Sequence, residues 1–237
     1  MVYYFTRFLL RLLLRVLWGL KWENIHYVPA QGGVILASNH ESFLDPFLVG
    51  VSSPRIPVRF MARESLFHNM AVGWLLRQHC AFPVKRGGVD WAAWAQFEDF
   101  VKGGECVSFF PEGTRSRDGK LQTANPGSGL LVHRCKGAVV VPTRVFDTHK
   151  VIPRGKTFGG FHRVSVVFGP PLDLSREMAE CGSCEVYTRI AEKIMTAISM
   201  IKPPEGRHHN AAENSLQGGE QSGGLPPEKL QEKGVPQ

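Results

Sequence analysis

Residues 37–47 read ASNHESFLDPF, placing His40 and Asp45 five positions apart at the end of an apolar run, with Pro46 directly behind the aspartate. A carboxylate on one imidazole nitrogen fixes the tautomer and stabilises the imidazolium, leaving the other nitrogen free to take a proton. On one continuous helix, side chains five apart stand about 140° apart, so this pair meets only across a turn. The sequence offers one: a strand ending near Ser38, then Asp45-Pro46 as an N-cap followed by proline in the first helical turn. Two readings stand together here. The residues are a base and its orienting carboxylate, or they are a loop histidine beside a capping aspartate.

Two more polar clusters follow apolar runs. In FFPEGTRSRDGK, residues 109–120, Gly113 permits a tight turn, and Arg115 and Arg117 suit bidentate capture of a phosphate. In FPVKRGG, residues 82–88, Lys85 and Arg86 leave a run beside two glycines. Each could be a solvated loop, but a sheet gathers the ends of its strands onto one rim. Cys181 and Cys184 form a lone C-x-x-C without a second pair, which suits surface thiols better than a structural zinc. His208 and His209 fall in a polar tail and read as solvated.

The elements that must hold these clusters alternate in kind. Short β-rich runs occur at 33–38, 57–62, 80–84, 106–110, 138–143 and 163–169, several apolar on successive residues, as strands buried on both faces are. Helical patterns occur at 46–52, 65–78, 89–102, 127–135 and 183–200. This order predicts an α/β layered fold with a largely parallel β-sheet flanked by helices. The chain of 237 residues is 43% apolar, enough for one sizeable domain, and its formal charge of +7 points to an anionic partner. Five cysteines, odd in number and without framework spacing, suit reduced thiols.

The ends differ from the body. YYFTRFLLRLLLRVLWGLKW, residues 3–22, is apolar yet carries Arg7, Arg11 and Arg15 on one helical stripe. Three arginines make a span costly and interrupt a signal peptide's apolar region. The pattern predicts a membrane-associating interfacial helix over 1–21, arginines at lipid phosphates and Leu, Phe and Trp in the acyl boundary. Packing on the protein's own core is the alternative, and a span is a further one. A body over 22–201 follows. From 202 to 237, Gly, Pro, Gln and Glu replace large apolar residues, which predicts a disordered tail.

The clusters together resemble the four blocks of the glycerolipid acyltransferases, in particular the bacterial 1-acylglycerol-3-phosphate acyltransferases. The first block, N-H-x-x-x-x-D, is Asn39 to Asp45; the third, F-P-E-G-T-R-S, is present whole from Phe110 to Ser116. Gly73 and Arg86 match the second block, and VVVP with Pro142 the fourth. The likeness covers about residues 22 to 200 and implies a glycerol-3-phosphate acyltransferase-like fold. It implies His40 as base and Asp45 as its orienter, with Arg86, Glu112, Gly113, Thr114 and Arg115 binding the acceptor. Glu112 cannot itself bind phosphate, so it is expected to accept from a hydroxyl or brace an arginine. The implied reaction takes acyl-CoA or acyl carrier protein as co-substrate and lysophosphatidic acid as acceptor, with no cofactor and no metal. The implied setting is a phospholipid surface on the cytoplasmic face of the inner (plasma) membrane. The chain departs from the family at Lys85, where an acidic residue is common, and at Asn125, where many members carry lysine. Another lyso-lipid or glycerol 3-phosphate therefore stays open as acceptor. A metal-dependent phosphoester hydrolase would need more converging carboxylates and histidines than the blocks carry. A non-catalytic basic lipid binder would not require His40 or Asp45, and no nucleic-acid motif is present.

Overall fold

The computed structural model describes residues 2–85, 87–155 and 158–205. Arg86, His208, His209 and all but the first four residues of the expected tail lie outside the described residues.

Each apolar run forms a strand: β2 (Val34–Ser38), β3 (Val58–Arg63), β4 (Ala81–Val84), β5 (Cys106–Phe109), β6 (Val139–Phe146) and β7 (Ser165–Phe168). A short β1 (Lys21–Glu23) was not foreseen; its three residues carry no apolar run. The sheet order is β1-β7-β6-β2-β5-β3-β4, parallel throughout except where β6 meets β7. β2 lies at the centre, with Val34 opposite both Cys106 and Val139. All five of its residues are buried, because both faces of the sheet are covered.

One face carries α4 (Trp91–Lys102), α5 (Pro126–Arg134) and α8 (Cys184–Met200), which pack Phe97, Val132 and Ile194 against Ile35, Val107 and Val140. The other carries α1 (Val2–Trp18) and α2 (Asp45–Ser52), which pack Leu14, Leu48 and Val49 against Leu36, Val141 and Val166. Ile35 and Leu36 thus point into opposite layers, as strand alternation requires. At the edge beside β3 and β4 lies α3 (Met70–Gln78), whose Gly73 is pressed on the Phe67 carbonyl, where a Cβ would come within 2.6 Å. Two short helices, α6 (Thr148–Val151) and α7 (Ser175–Ala179), were also absent from the sequence reading. All these elements belong to one compact unit, Met1–Pro204.

The helix α1 departs from expectation in its orientation. Arg7 turns inward and donates to the carbonyls of Val51 and Ser53 at 2.9 and 2.8 Å, with Gly50 at 3.4 Å. Arg11 lies over the Trp22 ring, 3.9 Å from its centroid. Arg7 and Arg11 therefore grip the body, and Phe5, Phe8, Leu9, Leu12, Leu13 and Val16 face outward. The C-terminal carbonyls of α2 lack helical partners, and a guanidinium fork satisfies several at once. No helix among the described residues is long and apolar enough to cross a membrane.

Candidate active site

At the carboxyl end of β2 the chain turns at Asn39, a buried side chain clamped on the backbone of β6. Its Oδ1 accepts from the Val145 amide at 2.8 Å and its Nδ2 donates to the Val145 carbonyl at 3.1 Å. That two-point hold fixes where His40 leaves the sheet. His40 Nδ1 then meets Asp45 Oδ2 at 2.8 Å. The same oxygen accepts from the amides of Glu41 at 2.6 Å and Ser42 at 2.7 Å. The sequence reading made Asp45 an N-cap; instead Leu44 occupies that position, and Asp45 begins α2 with its carboxylate turned back into the loop. Three groups converge on Oδ2 there, where a capping bond would supply one, and Oδ1 is buried without a hydrogen-bond partner.

The two side chains differ in exposure as base and orienter should. Asp45 is fully buried, and 18% of the His40 side chain remains accessible. With Nδ1 committed to Asp45, Nε2 is the nitrogen left for a substrate proton. Phe110 stacks on the imidazole, ring centroids 4.1 Å apart, and holds its plane.

The PEGTRS loop secures the main chain of the same histidine. The His40 amide donates to Glu112 Oε1 at 3.0 Å, and its carbonyl accepts from the Ser116 amide at 2.7 Å. Glu112 Oε2 accepts from Gln122 Nε2 at 2.8 Å. Both carboxylate oxygens of Glu112 thus go to protein groups: it braces the His40 amide, where the sequence predicts a hydroxyl or an arginine as partner. Burial pushes its carboxyl above the usual range, opposed by those two bonds. Gly113 takes φ +70° to close the turn, its amide donating to the Phe110 carbonyl. Thr114 is tied to Gln122 through its carbonyl at 2.9 Å. Arg115 lies over the Phe43 ring, 3.6 Å from its centroid, and its carbonyl accepts from Arg154 at 3.0 Å. Gly113 and Thr114 are exposed beside it on the rim.

Of the candidate residues, His40, Asp45 and Glu112 share direct hydrogen bonds, and Gly113, Thr114 and Arg115 lie in the loop they secure; Arg86 is not among the described residues. Lys85 meets the rim through its amide, which donates to Asp90, the N-cap of α4. Asn125 caps α5, accepting from the Gly127 amide at 2.8 Å, so the residue standing where lysine is common in the family has a structural duty. Asn39, Gln122 and Arg154 were missed as supports. Asn39 lay inside the quoted motif, but nothing local marked the other two. Cys106 and Cys135 are pushed up to about 12 by burial, so neither thiol is primed as a nucleophile. No group of three or more metal-ligating side chains occurs among the described residues.

Comparisons with known proteins bear on the family and the fold. The family model described as Acyltransferase matches residues 19–145. The 1-acyl-sn-glycerol-3-phosphate acyltransferase of Bacillus subtilis is 31% identical over 137 residues, covering 55% of this chain and 69% of that protein. The chloroplastic 1-acyl-sn-glycerol-3-phosphate acyltransferase of Arabidopsis thaliana is 30% identical over 178 residues, 73% of this chain. The chain spans about half the length of the plant relatives it matches, 48% and 46%. Among solved structures, the 1-acyl-sn-glycerophosphate acyltransferase PlsC from Thermotoga maritima shares the fold, with a TM-score of 0.61 at 24% identity over 76% of this chain and 70% of that one. A family match over more than half the chain, with both of its most specific blocks at one sheet rim, leads to one statement: the chain belongs to the acyltransferase family.

Proposed function

We propose that the protein transfers a fatty acyl group from acyl-CoA or acyl carrier protein to the sn-2 hydroxyl of 1-acylglycerol 3-phosphate, giving phosphatidic acid. The observation that carries this is the 2.8 Å contact of His40 with a buried Asp45 on the rim shared with the PEGTRS loop. Nε2 of His40 takes the hydroxyl proton as the oxygen attacks the thioester carbonyl. The tetrahedral centre then collapses, the carbon–sulfur bond breaks, and the thiolate leaves as the thiol with the proton that Nε2 had taken. A base so placed contributes about 10²–10⁴-fold, and positioning supplies much of the rest. Arg115, with Arg86 and the turn at Gly113 and Thr114, holds the acceptor's phosphate. Glu112 acts one step back, by fixing the His40 amide.

The acceptor lives in a bilayer, and the surface suits one. The outer face of α1 is apolar, α3 beside it exposes Met70 and Trp74, and Trp18 at the end of α1 stacks on Phe161 with centroids 6.4 Å apart. Arg15, Lys21 and Arg163 are exposed near that end and suit anionic headgroups. We place the protein on the cytoplasmic face of the inner (plasma) membrane, with α1 lying on the lipid.

A second acceptor class has its own support. The human dihydroxyacetone phosphate acyltransferase is 36% identical over 130 residues, half of this chain, which favours testing acceptors without an acyl chain. The deciding assay follows acyl transfer from labelled acyl-CoA and acyl carrier protein to lysophosphatidic acid, glycerol 3-phosphate and dihydroxyacetone phosphate, with chelator present. Wild type and His40→Ala are run together. Phosphatidic acid formed by wild type and reduced about 10²–10⁴-fold in the variant is expected. Equal product from both would remove His40 from the chemistry.

A further inference from the structure

We infer that Glu41 and His149 form a second, positioning pair that compensates charge at the catalytic dyad and thereby sets the pH range in which His40 works. The inference rests on His40 being the base. Glu41 follows it directly in the chain and is buried, though a carboxylate is costly to bury. Its Oε1 accepts from Asn39 Nδ2 at 3.0 Å, and its Oε2 faces His149 Nδ1 at 2.9 Å. Thr148 Oγ1 and the His149 amide stand farther off, at 3.4 and 3.5 Å. Glu41 thus bonds the same asparagine that aims His40, while its own amide bonds the carboxylate that orients His40. It puts a second negative charge beside Asp45.

His149 supplies the offset. It stands in the first turn of α6 and packs on Gly119 of the loop after the PEGTRS block, where a Cβ would fall 2.4 Å from the ring. The ring is therefore wedged between the loop bearing the dyad and the loop bearing Arg115. The bond to Glu41 raises the pKa of His149 against the opposing effect of burial, and burial raises that of Glu41. The other charges facing the group are few. Asp45 and Glu112 face His40. Asp147 and Lys150, themselves paired at 2.9 Å, face His149. Arg144 faces Glu41 but spends its donors on the carbonyls of Ser199 and Ile201.

The sign of the effect differs between the two residues, and a structural role alone would not make it differ. His149→Gln removes the cation and leaves Glu41 uncompensated, which favours a proton on His40, so the acid limb of kcat/KM moves to higher pH. Glu41→Gln removes the anion, and the limb moves to lower pH. Each displacement is read as a change in the proton concentration at the midpoint of the limb, with about threefold as the smallest that counts. The double variant, a neutral amide pair, should bring the limb back towards wild type.

The experiment records kcat/KM against pH for the four full-length proteins, with thermal melting as a fold control and the His40 ring titration followed by NMR. Opposite displacements that cancel in the double variant are expected. Displacement of both single variants in the same direction, or none in a folded protein, overturns the pair. Should His40→Ala keep full activity, the base assignment fails by itself, and the NMR titration still decides whether Glu41 and His149 act on that imidazole.

Discussion

Two helices of equal length, α1 and α8, each 17 residues, solve the same amphipathic problem in opposite ways. In α8 the apolar stripe Val186, Ile190, Ile194 and Ile198 is buried, and Lys193 and Arg189 reach outward to Glu177 and Glu180. In α1 only Leu14 is buried, Arg7 and Arg11 face the protein, and Phe5, Phe8, Leu9, Leu12 and Leu13 face away. Periodicity fixes that a helix has two faces, but the neighbour decides which face it wants. The sheet offered α8 an apolar surface. The end of α2 offered α1 a set of unpaired carbonyls and Trp22 offered an aromatic face, both of which prefer guanidinium.

The contrast can be broken from either side. Ile194→Ala should cost about 2–5 kcal/mol of folding stability in a denaturant titration, whereas Leu13→Ala on α1 should move the midpoint hardly at all. Burying one side chain such as Phe8 in lipid is worth about 1.5–3 kcal/mol, so Phe8→Ala should weaken binding to anionic phospholipid vesicles by roughly ten- to a hundredfold. The same change should leave the unfolding midpoint in place. Vesicle affinity unchanged by Phe8→Ala would sink the lipid-facing role of this surface. Arg7→Ala should cost about 1.5–3 kcal/mol in unfolding, since it strips charge-assisted bonds from the α2 carbonyls. Arg11→Ala, which loses a cation–π contact at the surface, should cost about 0.5–1 kcal/mol. An arginine role confined to lipid phosphates would reverse this, leaving folding stability untouched and vesicle binding reduced.

What could be read in the sequence divides along physical lines. Runs such as VILAS and CVSF declared themselves as strands because both of their faces meet core, and six of the seven strands were legible from their apolar runs. KWE, at an edge, carried no such signal. The meeting of His40 and Asp45 was legible because Pro46 marks a helix start at Asp45 and the turn is local. The braces were not: Glu112 reaches the His40 amide across 72 positions, and His149 reaches Glu41 across 108. Only the sheet's strand order brings those residues together, and spacing along the chain does not carry it. The inward turn of Arg7 was hidden for the same reason, since its three acceptors lie at the end of another helix.

The grip of Arg7 on α2 has a geometric consequence. The eight residues of α2 begin with Asp45 and end at the carbonyls that Arg7 holds. At 1.5 Å per residue this is a strut of about 12 Å, with the Asp45 carboxylate at one tip and α1 fastened to the other. A helix neither stretches nor sags as a loop does. The height of the imidazole above the plane of α1 is therefore gauged by helical pitch, and one extra turn in α2 would lift it by about 5 Å, like a spacer of the wrong thickness.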